Sequence, residues 1–263
     1  MLAPSSLGPP TDSLATVAAI GLLAYVSADV AHHVLGHGGA CWALGGQIEF
    51  LSSVLVECSC KSAAVDLAGP LANLLLGAGA LAVARRLPGA AASVRLFLLL
   101  TAGFNVLYFA GQLLFDVASQ TDDWAWPLRY FCVQAPVRYG LLVFGFGVYW
   151  LTIRLLGAEL APFASPQTRL TGLLRRAWVA AGLIACATAA LDHPAVSFIF
   201  LRAIPQALLL PLGLLAVPAL AARQAVPGKV AENLTYSMRW VLWAVAVGSA
   251  SIALLGPGIT SAH

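Results

Sequence analysis

The sequence predicts an all-α membrane protein of about seven transmembrane helices, six to eight being compatible, with a small β-hairpin after the first span. Hydrophobic residues make up 60% of its 263 residues and charged residues only 10%, unlike the balance of a soluble domain. The apolar residues also fall into runs of roughly 20, the length that crosses about 30 Å of hydrocarbon.

Seven apolar runs are the candidate spans, and their connections differ in charge. Lys and Arg gather in the second, fourth and sixth connections, which the positive-inside rule places in the cytoplasm. We therefore expect a multi-pass protein of a plasma (inner) membrane with a cytoplasmic N-terminus. The net charge of +3 follows from these arginines beside lipid and predicts no nucleic-acid partner. The runs cover residues 13–36, 64–84, 95–118, 137–157, 176–192, 196–222 and 239–257.

The connection after the first span has the pattern of short strands. In GGQIEFLSSVLVECSC (45–60), Ile48, Phe50, Val54 and Val56 alternate with polar residues, and a period of two is typical of strands. We expect a hairpin over the membrane face.

Four of the five cysteines lie in connections predicted on the outer face. Disulfides form in such an oxidising compartment, but spacing alone leaves the pairing open among three connectivities. The cysteines are Cys41, Cys58, Cys60 and Cys132.

Three histidines stand at the end of the first span, in ADVAHHVLGHGGACWALGG (28–46). His33 and His37 are four residues apart, which places both rings on one helix face, a geometry that binds one metal ion. His32 would point about 100° away. The simpler alternative is a set of helix-end histidines hydrogen-bonded to backbone or water. A titratable group within a span usually marks function, which favours the metal site.

Further polar residues are expected at the same end of the bundle. In an alternating topology, the end of the third span lies beside His33 and His37 and brings Asp116, Asp122 and Asp123. Two histidines and one carboxylate form a zinc set with an open fourth position. The second span starts on the same side. The Asp66 carboxylate is favoured near a helix N-terminus by the helix dipole, and Gly69 and Pro70 predict a helix start.

Three segments together resemble the site-2 protease family of intramembrane zinc metalloproteases, in its peptidase-like subset. HHVLGHGGACWALGG resembles the family's H-E-x-G-H helix, DLAGPLANLLLG (66–77) its Gly-Pro-x-x-Asn helix, and FNVLYFAGQLLFDVASQTDDWA (104–125) the segment that supplies the last ligand. The resemblance implies one Zn²⁺ held by His33, His37 and Asp123, with Asp122 or Asp116 as alternatives for the carboxylate.

The resemblance also concerns two buried amides, Asn73 and Asn105. In the family such asparagines help to hold substrate backbone or loops near the metal. A structural interpretation is an interhelical hydrogen bond worth about 1 kcal/mol.

The sequence departs from the family at the general base. Val34 stands where the family has glutamate, and valine cannot accept a proton; Glu49 or Glu57 of the hairpin are possible substitutes. Two hypotheses follow. One is a zinc metallopeptidase, with catalysis weakened by the missing glutamate, that acts on a membrane-embedded or membrane-adjacent protein. The other is a non-catalytic scaffold or accessory subunit that binds a partner protein.

We expect residues 1–132 to form the metalloprotease-like core, with an interfacial segment, and 133–263 to add transmembrane helices.

Overall fold

The first long helix carries the histidine segment and changes its winding there. The computed structural model describes residues 12–87, 89, 91–164, 167–192, 204–224 and 233–260. Helix α1 (Leu14–Asp29) starts at Ser13, whose hydroxyl accepts a hydrogen bond from the Thr16 amide. It continues as a π-helix (Val30–Gly38) and ends in the short helix α2 (Gly39–Ala43).

Five helical segments within the described residues are long and apolar enough to cross a membrane. They correspond to the first five predicted spans, which makes the protein a predominantly helical candidate for membrane insertion. The five segments are Leu14–Ala43, Ala63–Arg86, Ala92–Ser119, Ala135–Phe163 and Arg169–Asp192.

The other helices follow the same order along the chain. After α3 (Ala63–Arg86) and α4 (Ala92–Ser119), the short helix α5 (Asp122–Tyr130) occupies the predicted interfacial segment. Next come α6 (Ala135–Leu160), a 3₁₀ turn (Ala161–Phe163) and α7 (Gln167–Asp192).

In their described parts, the last two predicted spans do not form long continuous helices. The sixth begins outside the described residues, and its described part is broken into a π-helix (Pro205–Leu209), a 3₁₀ segment (Leu210–Leu215) and α8 (Val217–Gln224). A proline near the start of each piece explains the interruptions, since proline lacks the amide donor of a regular helix. The seventh, α9 (Met238–Leu254), has 17 residues.

The predicted hairpin is present and gains a third strand. Strands β1 (Ile48–Leu51) and β2 (Val56–Cys58) pair antiparallel, and β3 (Ile259–Thr260) adds to the other edge of β1. Gly258, at φ +76°, lies against Phe50, where a Cβ would come within 2.3 Å of the ring. The far end of the chain therefore closes over the hairpin.

Helix α3 starts earlier than Gly69 and Pro70 predicted. The Ser62 hydroxyl accepts a hydrogen bond from the Ala64 amide, and the helix begins at Ala63. Asp66 lies in its first turn as expected, whereas Pro70 lies inside the helix. The correction has a simple cause, because a serine N-cap satisfies helix-start amides that glycine and proline cannot.

One apolar core joins the two predicted regions. Buried residues of α1 and α4, including Ile20 and Phe104, pack in the same cluster as Leu156 of α6 and Leu174 of α7. The C-terminal helices therefore support the helices that carry the histidines and aspartates.

A buried ion pair joins the start of α1 to α7. The Asp12 carboxylate accepts hydrogen bonds from the Arg169 guanidinium, at 2.6 Å from Nη2, and from the Leu234 amide at 3.0 Å. Burial raises the pKa of Asp12, but the hydrogen bonds and the charge of Arg169 outweigh it and hold that pKa below its ordinary value.

We predict that Asp12→Asn lowers the free energy of unfolding in detergent at pH 7 by about 2 kcal/mol, since it breaks a largely buried pair. A lowered folded-state pKa stabilises the fold above the unfolded pKa of about 3.9 and loses this effect as the pH falls through the folded value. The difference between wild type and variant should therefore shrink in acid.

The matched control is Arg85→Gln. Its ion pair with Glu159 is 2.8 Å long, but the arginine side chain is 45% exposed, so we expect a loss below about 1 kcal/mol. Thermal unfolding over a pH series measures the loss of stability in both variants. Equal losses would contradict the conclusion that the buried Asp12–Arg169 pair contributes more than the exposed pair.

Candidate metal centre

Three side-chain atoms from two separate segments meet at one point. Asp123 Oδ2 lies 2.9 Å from His32 Nε2 and 3.2 Å from His37 Nε2, and the two nitrogens are 3.1 Å apart. Both histidines are buried, and the Asp123 side chain is 21% exposed. Among the described residues, these three form a group of nitrogen and oxygen ligands that could hold one metal ion.

The structure uses His32 where the α-helical spacing predicted His33. In the π-helix the Gly39 amide donates to the Val34 carbonyl, five residues back, so residues five apart stack on one face. His32 and His37 have this spacing, and their ring centroids are 4.7 Å apart against 6.2 Å for His33 and His37. The partner of His37 therefore changes by one residue.

A hydrogen-bond chain orients His32. Asn105 Nδ2 donates to the Thr101 carbonyl, which turns Asn105 Oδ1 towards Asn73 Nδ2 at 2.9 Å. Asn73 Nδ2 also donates to the Ala28 carbonyl, leaving Asn73 Oδ1 as the acceptor 2.7 Å from His32 Nδ1. His32 therefore carries its proton on Nδ1 and presents the Nε2 lone pair to Asp123.

His37 is held in the same tautomer by the backbone of α3. Its Nδ1 lies 2.8 Å from the Val65 carbonyl, which can only accept, so Nδ1 donates and Nε2 is free. Gly69 packs against this ring: a Cβ there would lie 2.3 Å from His37 Nε2. The glycine predicted at the helix start thus leaves room for the imidazole.

The chemistry of this group fits a divalent cation. Two nitrogen lone pairs and one carboxylate oxygen, all acceptors, lie within 3.2 Å of one another. Ligand atoms about 2.1 Å from a tetrahedral zinc are about 3.4 Å apart, and two histidines with a carboxylate make a catalytic zinc set. The same ring nitrogens could instead share protons with Asp123, in which case the group is a structural cluster.

Asp123 is positioned by a tight turn between α4 and α5. Gln120 and Asp122 have φ values of 57° and 60°, a conformation that is uncommon for residues other than glycine. Gln112 Nε2 donates to Asp123 Oδ2 at 2.7 Å.

The alternative carboxylates of this segment have other positions. Asp116 is buried, and its Oδ2 accepts from the Trp124 amide at 3.4 Å, so it supports the first turn of α5. Asp122 lines the cavity beside the histidines but is not one of the three converging residues.

His33 forms a second pair, with Asp29 one turn earlier. Its Nδ1 lies 3.0 Å from Asp29 Oδ1 and 3.3 Å from the Asp29 carbonyl. Its ring contacts His32, with centroids 4.7 Å apart. The side chain lines the same cavity of about 210 Å³ as His32, His37 and Asp123, so the pair borders the candidate metal position.

The hairpin glutamates line a neighbouring cavity. Glu49 and Glu57 border a space of about 510 Å³, whereas the histidine cavity is lined by neither glutamate nor Val34. Val56, Val65 and Asp66 line both cavities. The two spaces therefore adjoin along β2 and the start of α3.

The cysteines give one disulfide. Cys41 is bonded to Cys58 with the Cα atoms 5.9 Å apart, while Cys60 and Cys132 are free thiols. This resolves, for the four predicted cysteines, the pairing that spacing left open.

Comparison with known proteins adds no relative: no family model, no curated protein and no solved structure matches this chain. The likeness to site-2 proteases therefore stays a prediction from the three motifs.

We predict that Gly69→Ala weakens zinc binding by about 10- to 100-fold, the usual range when the shell that orients a ligand is disturbed. The new methyl group would displace the His37 ring. The control is Gly79→Ala in the same helix, where a Cβ meets nothing within 4 Å. Competition with a chromophoric chelator, on protein first stripped of metal, measures the zinc affinity of both variants. Equal affinities would contradict a zinc site that includes His37.

Proposed function

We propose that this protein is a membrane-embedded zinc-dependent peptidase of the site-2 protease type. The observation that carries the proposal is the convergence of His32 Nε2, His37 Nε2 and Asp123 Oδ2 within 3.2 Å of one another. The fixed Nδ1 protons support it, because they leave lone pairs rather than donors at the centre.

The three residues would hold zinc and leave a fourth position open towards the cavity. Zinc at such a site supplies Lewis acidity and a bound water whose pKa is lowered towards 7. Asn73 and Val65 hold the two imidazoles in the ligand tautomer, a positioning role that is typical of the surroundings of metal sites.

We assign the general base to His33. In the H-E-x-x-H pattern the base directly follows the first metal-binding histidine, and with His32 as that histidine the next residue is His33, not Val34. Asp29 holds His33 Nδ1 at 3.0 Å, and no hydrogen bond to His33 Nε2 is found among the described residues. In this role Nε2 accepts the proton of the attacking water and passes it to the leaving nitrogen, while Asp29 fixes the ring.

The cavities favour a polypeptide as the substrate. The larger one, about 510 Å³, adjoins the histidines and is bordered by β2, the start of α3 and Trp126 of α5. It offers room for residues on one side of a bond held at the metal. The apolar helices around it support a substrate that lies in or next to the membrane.

The scaffold hypothesis keeps one supporting observation, Val34 in place of the family's glutamate. In that case the protein binds a partner protein and the histidine cluster is structural. Metal content and hydrolysis, measured separately, distinguish the two functions.

We predict about one zinc per chain in the detergent-purified protein, lost in His32→Ala, His37→Ala and Asp123→Ala but kept in His33→Ala. Elemental analysis after removal of loosely bound metal measures it. Zinc that is retained in His32→Ala and lost in His33→Ala would assign the ligands to His33 and His37 instead. No zinc in the wild type would favour the scaffold hypothesis.

We predict that His33→Ala lowers cleavage of fluorescently labelled casein in detergent micelles by 10²- to 10⁴-fold, the usual contribution of a general base, with zinc content unchanged. His33→Glu should retain more activity than His33→Ala, because it restores a carboxylate after the first ligand. Val34→Glu is the matched control and should give no gain over the wild type. The opposite order for the two glutamate variants would assign the base position to residue 34.

A further inference from the structure

Three sulfur atoms meet beside the hairpin, outside the candidate metal centre. The free thiol of Cys60 lies 3.3 Å from Cys58 Sγ, which is already bonded to Cys41. Their sulfur atoms all lie within 4.8 Å of one another. A disulfide with a free thiol in van der Waals contact is the arrangement that thiol–disulfide exchange requires.

Local structure brings the three sulfurs together. Cys58 ends β2, and the chain bends at Ser59 and Cys60, which leaves Cys60 Sγ 3.3 Å from Cys58 Sγ. Cys41 lies in α2, and the chain turns back directly after this helix at Gly45 (φ +77°). In this turn the Gly46 amide donates a hydrogen bond to the Cys41 carbonyl at 2.9 Å. A Cβ at Gly46 would lie 2.5 Å from Cys60 Sγ and 3.0 Å from Cys41 Sγ.

Cys58 and Cys60 can also be bonded to each other. The bend at Ser59 and Cys60 already holds their sulfur atoms 3.3 Å apart, so a short approach of the two atoms forms the bond. Both Cys58 and Cys60 line the larger cavity, whereas Cys41 is fully buried. The attacking thiol is therefore on the accessible side of the bond.

We propose that Cys41, Cys58 and Cys60 form a thiol–disulfide exchange centre with two disulfide isomers. The Cys60 thiol loses its proton to solvent, and the thiolate attacks Cys58 Sγ. The Cys58–Cys60 bond forms as the Cys41–Cys58 bond breaks, and Cys41 leaves with the electron pair and takes up a proton. One disulfide and one thiol are present before and after, so no oxidant or reductant is consumed.

The isomers differ in what they hold together. The Cys41–Cys58 bond ties the end of the histidine-bearing helix to β2, and Cys41 is four residues after His37. The Cys58–Cys60 bond lies within one short segment. It does not link the histidine-bearing helix to the hairpin. Exchange therefore releases β2 from the helix, next to the cavity that both Val56 and the histidines line.

Disulfide mapping of the full-length protein in detergent tests this centre without any measure of hydrolysis or metal. The protein is incubated at mildly alkaline pH. Samples taken at intervals are unfolded in denaturant with excess N-ethylmaleimide, so that buried thiols are labelled as well, and are then digested and analysed by mass spectrometry. In the wild type we expect label on Cys60 and, increasing with time, on Cys41 together with a Cys58–Cys60 peptide. Cys132, an exposed free thiol, should be labelled at once and serves as the internal reference.

Two variants and one control complete the test. Cys60→Ser should abolish labelling of Cys41. Cys41→Ser, treated with oxidised glutathione as the two-electron oxidant, should show Cys58 and Cys60 protected as a disulfide. The control, Cys132→Ser, should leave the labelling of Cys41 unchanged. Cys41 that stays unlabelled in the wild type, or Cys58 and Cys60 that are both labelled in Cys41→Ser, would overturn the proposal.

Discussion

The close contact between two helix backbones, at Gly36 and Gly69, is the constraint on which the candidate site depends. A Cβ at Gly36 would lie 2.5 Å from Gly69 Cα, and one at Gly69 would lie 2.3 Å from His37 Nε2. Neither glycine position therefore has room for a side chain. This contact places the Val65 carbonyl beside His37 Nδ1, so packing selects both the position and the tautomer of His37. Small residues allow such close approach between membrane helices.

The same close packing carries a polar network through an apolar bundle. The chain from Thr101 through Asn105 and Asn73 to His32 links α4, α3 and the π-helix, and its side chains are almost fully buried. An unpaired amide there would cost free energy, since no water replaces a lost partner. Each amide has its partners, so the network fixes the rotation of α3 and α4 about the histidines. The structure therefore shows the interhelical hydrogen bonds of both asparagines and a contact of Asn73 with His32, while a role in holding substrate stays a prediction.

Much of this could be predicted from sequence, because it depends on local pattern. Apolar run length gave the first five spans, alternation gave the hairpin, and topology brought His37, Asp123 and Asn73 to one end. The position of His32 rather than His33 beside His37 could not be predicted, because both spacings are present in HHVLGH and the α-helical period was assumed where the structure has a π-helix. Nor could β3 or the Cys41–Cys58 pairing, since a two-residue strand and a disulfide depend on segments far apart in the chain.

Under the proposed function, the π-helix and the assignment of the base depend on one spacing. An H-E-x-x-H helix has three residues between its ligands, whereas His33, Val34, Leu35 and Gly36 separate His32 from His37. The π-helical winding brings these two rings together, with centroids 4.7 Å apart. The residue after His32 is a histidine, and Asp29 lies four residues before it, 3.0 Å from Nδ1. With His32 as the first ligand, the proposed base is an imidazole held by a carboxylate, which can accept a proton where Val34 cannot.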